Sequence, residues 1–323
     1  MPHIVVLATG GTIASRAGSD GASVASDSAD TLLGGTSTRA GITVEAVDLL
    51  RQNSFNLSFR DLRTIADGVR DQLARGDVDG IVITHGTDTI EETAVLLDLI
   101  HNDDRPVVLT GAQVAPDQSG TDGQRNLAGA ISVAADPQSR GLGVLIFFAG
   151  QVLPTRGLRK VHTLQPQPYA ADPTGPIGEL TQDELRLHAR PVRNVPLPHP
   201  EPAFDGTRVE LLTLYPGATP ELLNHLVEQR IGGIVLAGTG AGNLNRDNVD
   251  AVRDATAAGT VVALSTRVPF GPVAPIYGGG GAVDAIKAGA VPVRLPNTQA
   301  RILLALLLSH FPADRVVERL RSY

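Results

Sequence analysis

Residues 4–8 form an unbroken apolar run, Ile4-Val5-Val6-Leu7-Ala8, which stops at Thr9, the glycine pair Gly10-Gly11 and Thr12. A run with no polar alternation suits a strand covered on both faces, like the inner strands of a parallel sheet. Two glycines then let the backbone turn sharply and come close to a ligand. Thr12 is thereby placed at the carboxyl end of the first strand, the edge at which open α/β sheets bind their ligands. A hydroxyl there is either a nucleophile or a strand-end group bonded to nearby backbone.

Similar runs recur at 80–84, 106–110 and 142–149, and a shorter alternating segment at 41–47 reads as a further strand. Between them, Leu62, Ile65, Val69 and Leu73 repeat at helical spacing, a second helix runs from Asp88 or Thr89 to Ile100, and a third covers 124–135. Asp88 or Thr89 is expected to cap the second helix, with Glu91 and Glu92 favoured in its first turn by the helix dipole. Strands alternating with helices imply right-handed βαβ units, and so an α/β fold built on a mostly parallel, doubly wound sheet. Residues 15–38 lack apolar periodicity and are expected to form a long mobile lid following Thr12. Residues 151–160 are expected to form a polar turn at the same sheet edge.

The large N-terminal domain is expected to span 1–190. Pro191, Pro196, Pro198, Pro200 and Pro202 give 191–207 the composition of a semi-rigid linker. Residues 208–323 repeat the βα alternation as a smaller parallel α/β domain, with an irregular glycine-rich segment at 266–298 and a loop running from Gly238 to Leu244.

With 323 residues, 42% hydrophobic content and mean hydropathy of +0.05, the chain is globular and long enough for two domains. A net charge of −7 argues against nucleic acid or an anionic membrane as partner. Cysteine is absent, so disulfides and thiolate metal sites are excluded. No apolar run approaches the ~18 residues of a membrane span. Met1-Pro2-His3 leads straight into a strand without a signal-type segment, so the expected location is cytoplasmic, although a processed form carrying an added methionine would read identically.

Neither nucleotide nor metal chemistry fits the motifs. The turn at Gly10 and Gly11 lacks a P-loop lysine, the glycines at 238, 240 and 242 do not complete a dinucleotide fingerprint, and no two histidines stand at metal-ligand spacing. No cofactor and no metal are expected. What remains is hydroxyl-based. Among 27 basic residues only Lys160 and Lys287 are lysines. Lysine, unlike arginine, can lose its proton at workable pH when it is desolvated. A threonine hydroxyl needs such a base, and a carboxylate to orient it, which makes Thr12, Thr87, Asp88 and Lys160 a triad-like set. Lys287 reads as a surface charge.

Thr9-Gly10-Gly11-Thr12-Ile13-Ala14 and Thr84-His85-Gly86-Thr87-Asp88-Thr89-Ile90-Glu91-Glu92-Thr93-Ala94 resemble the two signature segments of bacterial-type L-asparaginases. Similarity extends through Asp122-Gly123, Lys160, the loop from Gly238 to Leu244, and Arg267-Val268-Pro269. The resemblance implies hydrolysis of L-asparagine to L-aspartate and ammonia through an acyl-enzyme. It also implies a homotetramer of intimate dimers, with active sites between subunits. Thr12 matches the first nucleophile, and Thr87, Asp88 and Lys160 the second threonine and its partners, Asp88 also being expected to hold the substrate α-ammonium. Ser54 matches a residue binding the α-carboxylate, Ala112 a backbone contact to the side-chain amide, and Asn243 a contribution from the partner subunit. Gly11 and Gly86, inside the signatures, complete the expected substrate contacts.

Three positions depart from the family pattern. No tyrosine precedes Tyr169, so Thr12 lacks the lid tyrosine expected to activate it. Phe55 stands where Gln or Glu usually follows the serine. The partner's glutamate has no match within 270–281, where Tyr277 occurs instead. Tyr277 of a neighbouring subunit, or a Ser or Asp of the lid, is the expected replacement. A glutaminase or mixed activity is the nearest alternative, and an amino-acid-binding protein without chemistry is the rival from another class.

Overall fold

In the computed structural model, which describes residues 1–17, 23–25, 27–36 and 38–323, the chain divides into two units, Met1–His199 and Pro200–Tyr323. The first unit contains strands β1 (His3–Gly10), β2 (Ser15–Ala17), β3 (Ser23–Ala25), β4 (Thr43–Gln52), β5 (Gly80–Thr84), β6 (Val107–Thr110), β7 (Val144–Phe148), β8 (Gln151–Pro154), β9 (Leu158–Lys160), β10 (Tyr169–Ala171), β11 (Gly178–Thr181) and β12 (Glu184–Leu187). Its helices are α1 (Ala29–Gly34), α2 (Phe59–Leu73), α3 (Ile90–Ile100) and α4 (Gly123–Ala135). The main sheet has the order β12-β11-β8-β7-β6-β5-β1-β4. Strands β4, β1, β5, β6 and β7 are parallel, and β8, β11 and β12 extend them antiparallel.

The period of two explains why β1 is central. Val5 and Leu7 join Ile81, Ile83, Ile65 and Leu97 in one core, while Ile4 and Val6 join Val82, Leu127 and Ile131 in another. Alternate side chains thus bury against helices on opposite faces, each worth about 1.5–3 kcal/mol. The chain leaves β1 for β4 on one side and then crosses to β5 on the other, so the crevice beyond β1 and β5 is a topological switch point.

Three expectations about this unit need correction. Residues 15–38 are not one long loop: β2 and β3 pair antiparallel, and α1 follows with the Ser28 hydroxyl accepting from the Thr31 amide. Strands of three residues and a helix of six are too short to show periodicity, and main-chain pairing holds the hairpin. Residues 18–22 of the expected lid, with 26 and 37, lie outside the described residues. Residues 151–160 are not one polar turn: β8 folds back on β7 through Ala149 and Gly150, both at positive φ, and β9 pairs with β10. The proline-rich stretch is partly docked, since Leu197 is buried with its N–H on Leu99 O at 2.7 Å, and His199 Nε2 lies 2.9 Å from Asp67.

In the second unit, helices α5 (Pro202–Asp205), α6 (Glu221–Glu228), α7 (Arg246–Ala257), α8 (Ala282–Lys287), α9 (Asn297–His310) and α10 (Ala313–Leu320) surround strands β13 (Val209–Thr213), β14 (Gly233–Gly238), β15 (Val261–Thr266) and β16 (Val291–Pro292). The four strands are parallel in sequence order. The segment expected to be irregular holds α8 and β16, whose lengths of six and two residues leave no readable pattern.

Candidate active site

Register aligns the carboxyl ends of four parallel strands. Gly10 pairs with Gln52, Ala8 with Thr84 and Thr84 with Thr110. Thr12, Ser54, Thr87 and Ala112 each follow within two or three residues of those ends, so one sheet edge carries them all. The glycines set how closely their loops approach. A Cβ on Gly11, at φ +81°, would lie 2.3 Å from Gly86 N, and one on Gly86 would lie 2.5 Å from Ser54 Oγ. Only unsubstituted backbone can pack that way.

Thr12 opens a short turn in which Ile13 and Ala14 are buried. The Ser15 hydroxyl donates to Gly11 O at 2.8 Å. Among the described residues, none makes a hydrogen bond to the Thr12 hydroxyl. Ala112 is fully buried, and a Cβ on Gly123 would lie 2.8 Å from Ile13 Cγ1 and 3.3 Å from Ala112 Cβ, which joins the loops beyond β1 and β6.

Thr87, Asp88 and Lys160 are in contact. Lys160 Nζ donates to Thr87 Oγ1 at 2.8 Å and to Asp88 Oδ1 at 2.7 Å. Thr87 is buried, and the Lys160 side chain is 16% exposed against 54% for Asp88, so the lysine is largely removed from solvent while the carboxylate is open to it. The Thr87 hydroxyl in turn donates to Gln113 Oε1 at 2.9 Å. Asp88 therefore does not cap α3. Thr89 holds the capping position, but its hydroxyl donates to Ser54 O at 2.9 Å and accepts no hydrogen bond from the helix amides.

Two residues outside the expected site set position this group. Glu91 does more than favour the dipole of α3: it is buried, and its Oε2 accepts from Lys160 N at 2.6 Å. Tyr169, paired with Lys160 across β9 and β10, donates its hydroxyl to Thr87 O at 2.8 Å. Burial pushes the Tyr169 hydroxyl well above its usual range, so it remains a donor. The only sequence signal for either was adjacency, Glu91 to the Thr87-Asp88 pair and Tyr169 to the segment carrying Lys160.

His85 is wholly buried between Gly86 O at 2.7 Å and Thr93 Oγ1 at 2.8 Å. Burial lowers its pKa to about 4, opposed by the bond to Gly86, which makes it a neutral structural group. Asp122 accepts from the amides of Gln113 and Val114 and from Asn126 Nδ2, bracing the loop beyond β6.

Asn243 and Tyr277 belong to the second unit. Asn243 exchanges backbone bonds with Thr239 and accepts from Ala282 N through its side chain at 3.1 Å, and Tyr277 is 60% exposed. Several polar residues of the expected lid are engaged elsewhere: Ser15 with Gly11, Ser28 with α1, and Asp27 with Arg16 at 2.6 and 2.9 Å.

The arrangement offers a buried hydroxyl bonded to an ammonium, a carboxylate partner, a second hydroxyl on the adjacent loop, and strand-end amides able to face a developing negative charge.

Comparison with known proteins finds relatives along nearly the whole chain. Residues 3–193 match the family described as asparaginase, N-terminal, and residues 208–320 the glutaminase/asparaginase C-terminal domain. The chain is 36% identical to a probable L-asparaginase of Deinococcus radiodurans over 98% of its own length and 95% of the relative's. It is 33% identical to a probable periplasmic L-asparaginase of Haemophilus influenzae, over 99% and 92% of the two chains. The solved structure of a probable cytoplasmic L-asparaginase from Campylobacter jejuni superposes with a TM-score of 0.89 at 26% identity, covering 100% of both chains.

Proposed function

The chain belongs to the asparaginase family, and on that premise we propose that it hydrolyses L-asparagine to L-aspartate and ammonia by two displacements at Thr12. The observation that carries this reading is the Thr87–Lys160–Asp88 contact on the sheet edge from which Thr12 also projects. Thr12 Oγ1 attacks the carboxamide carbon, and strand-end amides stabilise the oxyanion. The C–N bond breaks as the nitrogen gains the proton that Thr12 gives up and leaves as ammonia, and the acyl group stays on Thr12 as an ester. Water then adds to that carbon, the C–O bond to Thr12 breaks, and Thr12 recovers its proton. Thr87 and Lys160 manage the proton of the attacking water.

Asp88 holds the substrate α-ammonium with its exposed carboxylate oxygen, Ser54 the α-carboxylate, and Ala112 the side-chain amide through its backbone. Gly11 and Gly86 supply backbone contacts. Asn243 and Tyr277 reach the site of a neighbouring subunit in a homotetramer. Support for that assembly comes from Phe270, Ile276 and Tyr277, exposed apolar surface that a neighbour would cover. Sedimentation at working concentration tests it.

Among the described residues no helix is long and apolar enough to cross a membrane. We assign the cytoplasm by likeness to the Campylobacter protein, and fractionation of cells producing the chain tests the assignment against the periplasm.

The deciding experiment is ammonia release from asparagine and from glutamine. Release from asparagine that disappears in Thr12→Ala is expected, and retention in that variant would overturn the nucleophile. One methylene is worth only ~1–3 kcal/mol in a pocket, so glutamine is run in parallel to set the preference.

A further inference from the structure

Thr87 Oγ1 carries one proton, and its neighbours determine where that proton points. Gln113 Nε2 donates to two backbone carbonyls, Thr163 O at 3.2 Å and Gln165 O at 3.1 Å. Both are acceptors only, so the reversed amide would set Oε1 against two carbonyl oxygens. Gln113 Oε1 must therefore face Thr87, at 2.9 Å, and the hydroxyl must donate to it. With its proton committed, Thr87 Oγ1 can only accept from Lys160 Nζ at 2.8 Å. Lys160 also donates to Asp88 Oδ1 at 2.7 Å.

We propose that Gln113 is a positioning residue which holds the Thr87 proton away from Lys160 and so keeps Lys160 the donor of the Thr87–Lys160 bond at rest. The inference rests on the proposed hydrolysis only for its kinetic consequence. An amide oxygen is too weak a base to take the proton. Passing a proton from Thr87 to Lys160 requires the hydroxyl to rotate out of the Gln113 bond once Lys160 is neutral.

Both ends of Gln113 are anchored. Its backbone N–H donates to Asp122 Oδ1 and Oδ2 at 3.0 and 3.1 Å. Its side chain is tied to the loop 161–168, which is closed on itself by His162 Nδ1 accepting from Leu164 N at 3.1 Å and Gln165 N at 2.9 Å. The same loop joins β9, which bears Lys160, to β10, which bears Tyr169. Three contacts on Thr87, from Lys160 to Oγ1, from Tyr169 to O and from Gln113 to the hydroxyl proton, thus all connect to one hairpin.

The test uses the full chain with Gln113→Leu, which keeps bulk but removes the acceptor, and Gln113→Glu, which keeps an acceptor and adds charge. The chain has only two lysines, so a 1H–15N spectrum of the lysine ammonium groups carries two signals, and Lys287→Arg assigns them. The Lys160 signal is expected to persist in wild type and Gln113→Glu and to lose at least half its intensity in Gln113→Leu. In the pH profile of kcat for asparagine, the acid limb is expected to move down by about one pH unit in Gln113→Leu and up by about one in Gln113→Glu, about tenfold in rate at a fixed pH on that limb. An unchanged Lys160 signal in Gln113→Leu, or equal rate losses in both variants with unmoved limbs, would show that Gln113 merely fills space and overturn the proposal. If wild type releases no ammonia, the hydrolytic reading fails while the spectrum still decides the proton arrangement.

Discussion

The Tyr169 hydroxyl donates to the backbone carbonyl of Thr87 at 2.8 Å, while its ring stands edge-on to Phe148 with centroids 5.3 Å apart. The ring supplies packing and the hydroxyl supplies placement. Tyr169→Phe separates the two, because only the hydrogen bond is lost. Expected outcomes are a stability loss of about 1 kcal/mol, read from urea unfolding, and a kcat lowered about fivefold, the factor that such an energy represents in positioning.

Lys160 is held by its amide on Glu91 and by its ammonium on Thr87 and Asp88. Lys160→Met removes the charged donor, and Lys160→Arg keeps the charge but sets a planar fork, unable to lose its proton, where a point donor sits. Both variants are expected to lower kcat by about 10²–10⁴-fold, with Arg giving no rescue. Ammonia release under saturating asparagine checks this, and an active Lys160→Arg would rule out proton transfer at that position.

The parts of the fold legible in the sequence are those whose burial is two-sided and long. Ile4–Leu7 and Ile81–Ile83 read as inner strands because helices cover both faces, and α2 and α4 read as helices because their apolar residues recur every three or four positions. The hairpin β2–β3, the return strand β8, α8 and β16 were hidden because elements of two to six residues, held by main-chain bonds, impose no periodicity on side chains. The site divides the same way. Thr12, Thr87 and Asp88 follow strand ends that the pattern marks, and the rarity of lysine marks Lys160. Glu91, Gln113 and Tyr169 act through bonds between segments 26 to 82 residues apart in sequence, and no local pattern records those.

Gly11 combines φ +81° with ψ −178°, a region open to glycine alone, and a Cβ there would stand 2.3 Å from Gly86 N. Backbone cannot yield as a flexible side chain can. Gly11→Ala is therefore expected to cost about 3 kcal/mol or more, through strain and through separation of the loops bearing Thr12 and Thr87. A lower urea midpoint together with lost ammonia release checks it. A stable, active Gly11→Ala would mean the two loops do not need that approach.

His85 and His101 are both buried, and burial lowers each from 6.5 to about 4, with the positive charge of Arg193 adding to the effect at His101. Each ring is neutral in the folded chain over a range where the unfolded chain binds a proton. Stability from this source is fully present above pH 6.5 and is lost as pH falls from there toward about 4. Two such groups give a slope of about 2.7 kcal/mol per pH unit once the unfolded imidazoles are protonated. Carboxylates held low by ion pairs, Glu45 with Arg75 for example, contribute only further down, whereas burial pushes the Asp98 carboxyl up and opposes the histidine slope. Urea unfolding from about pH 6 to 5 is expected to show the net slope, and His101→Gln to reduce it by at least half, because one titrating ring is gone while a hydrogen-bonding group remains to meet Arg105 O. An undiminished slope in His101→Gln would place the acid sensitivity elsewhere.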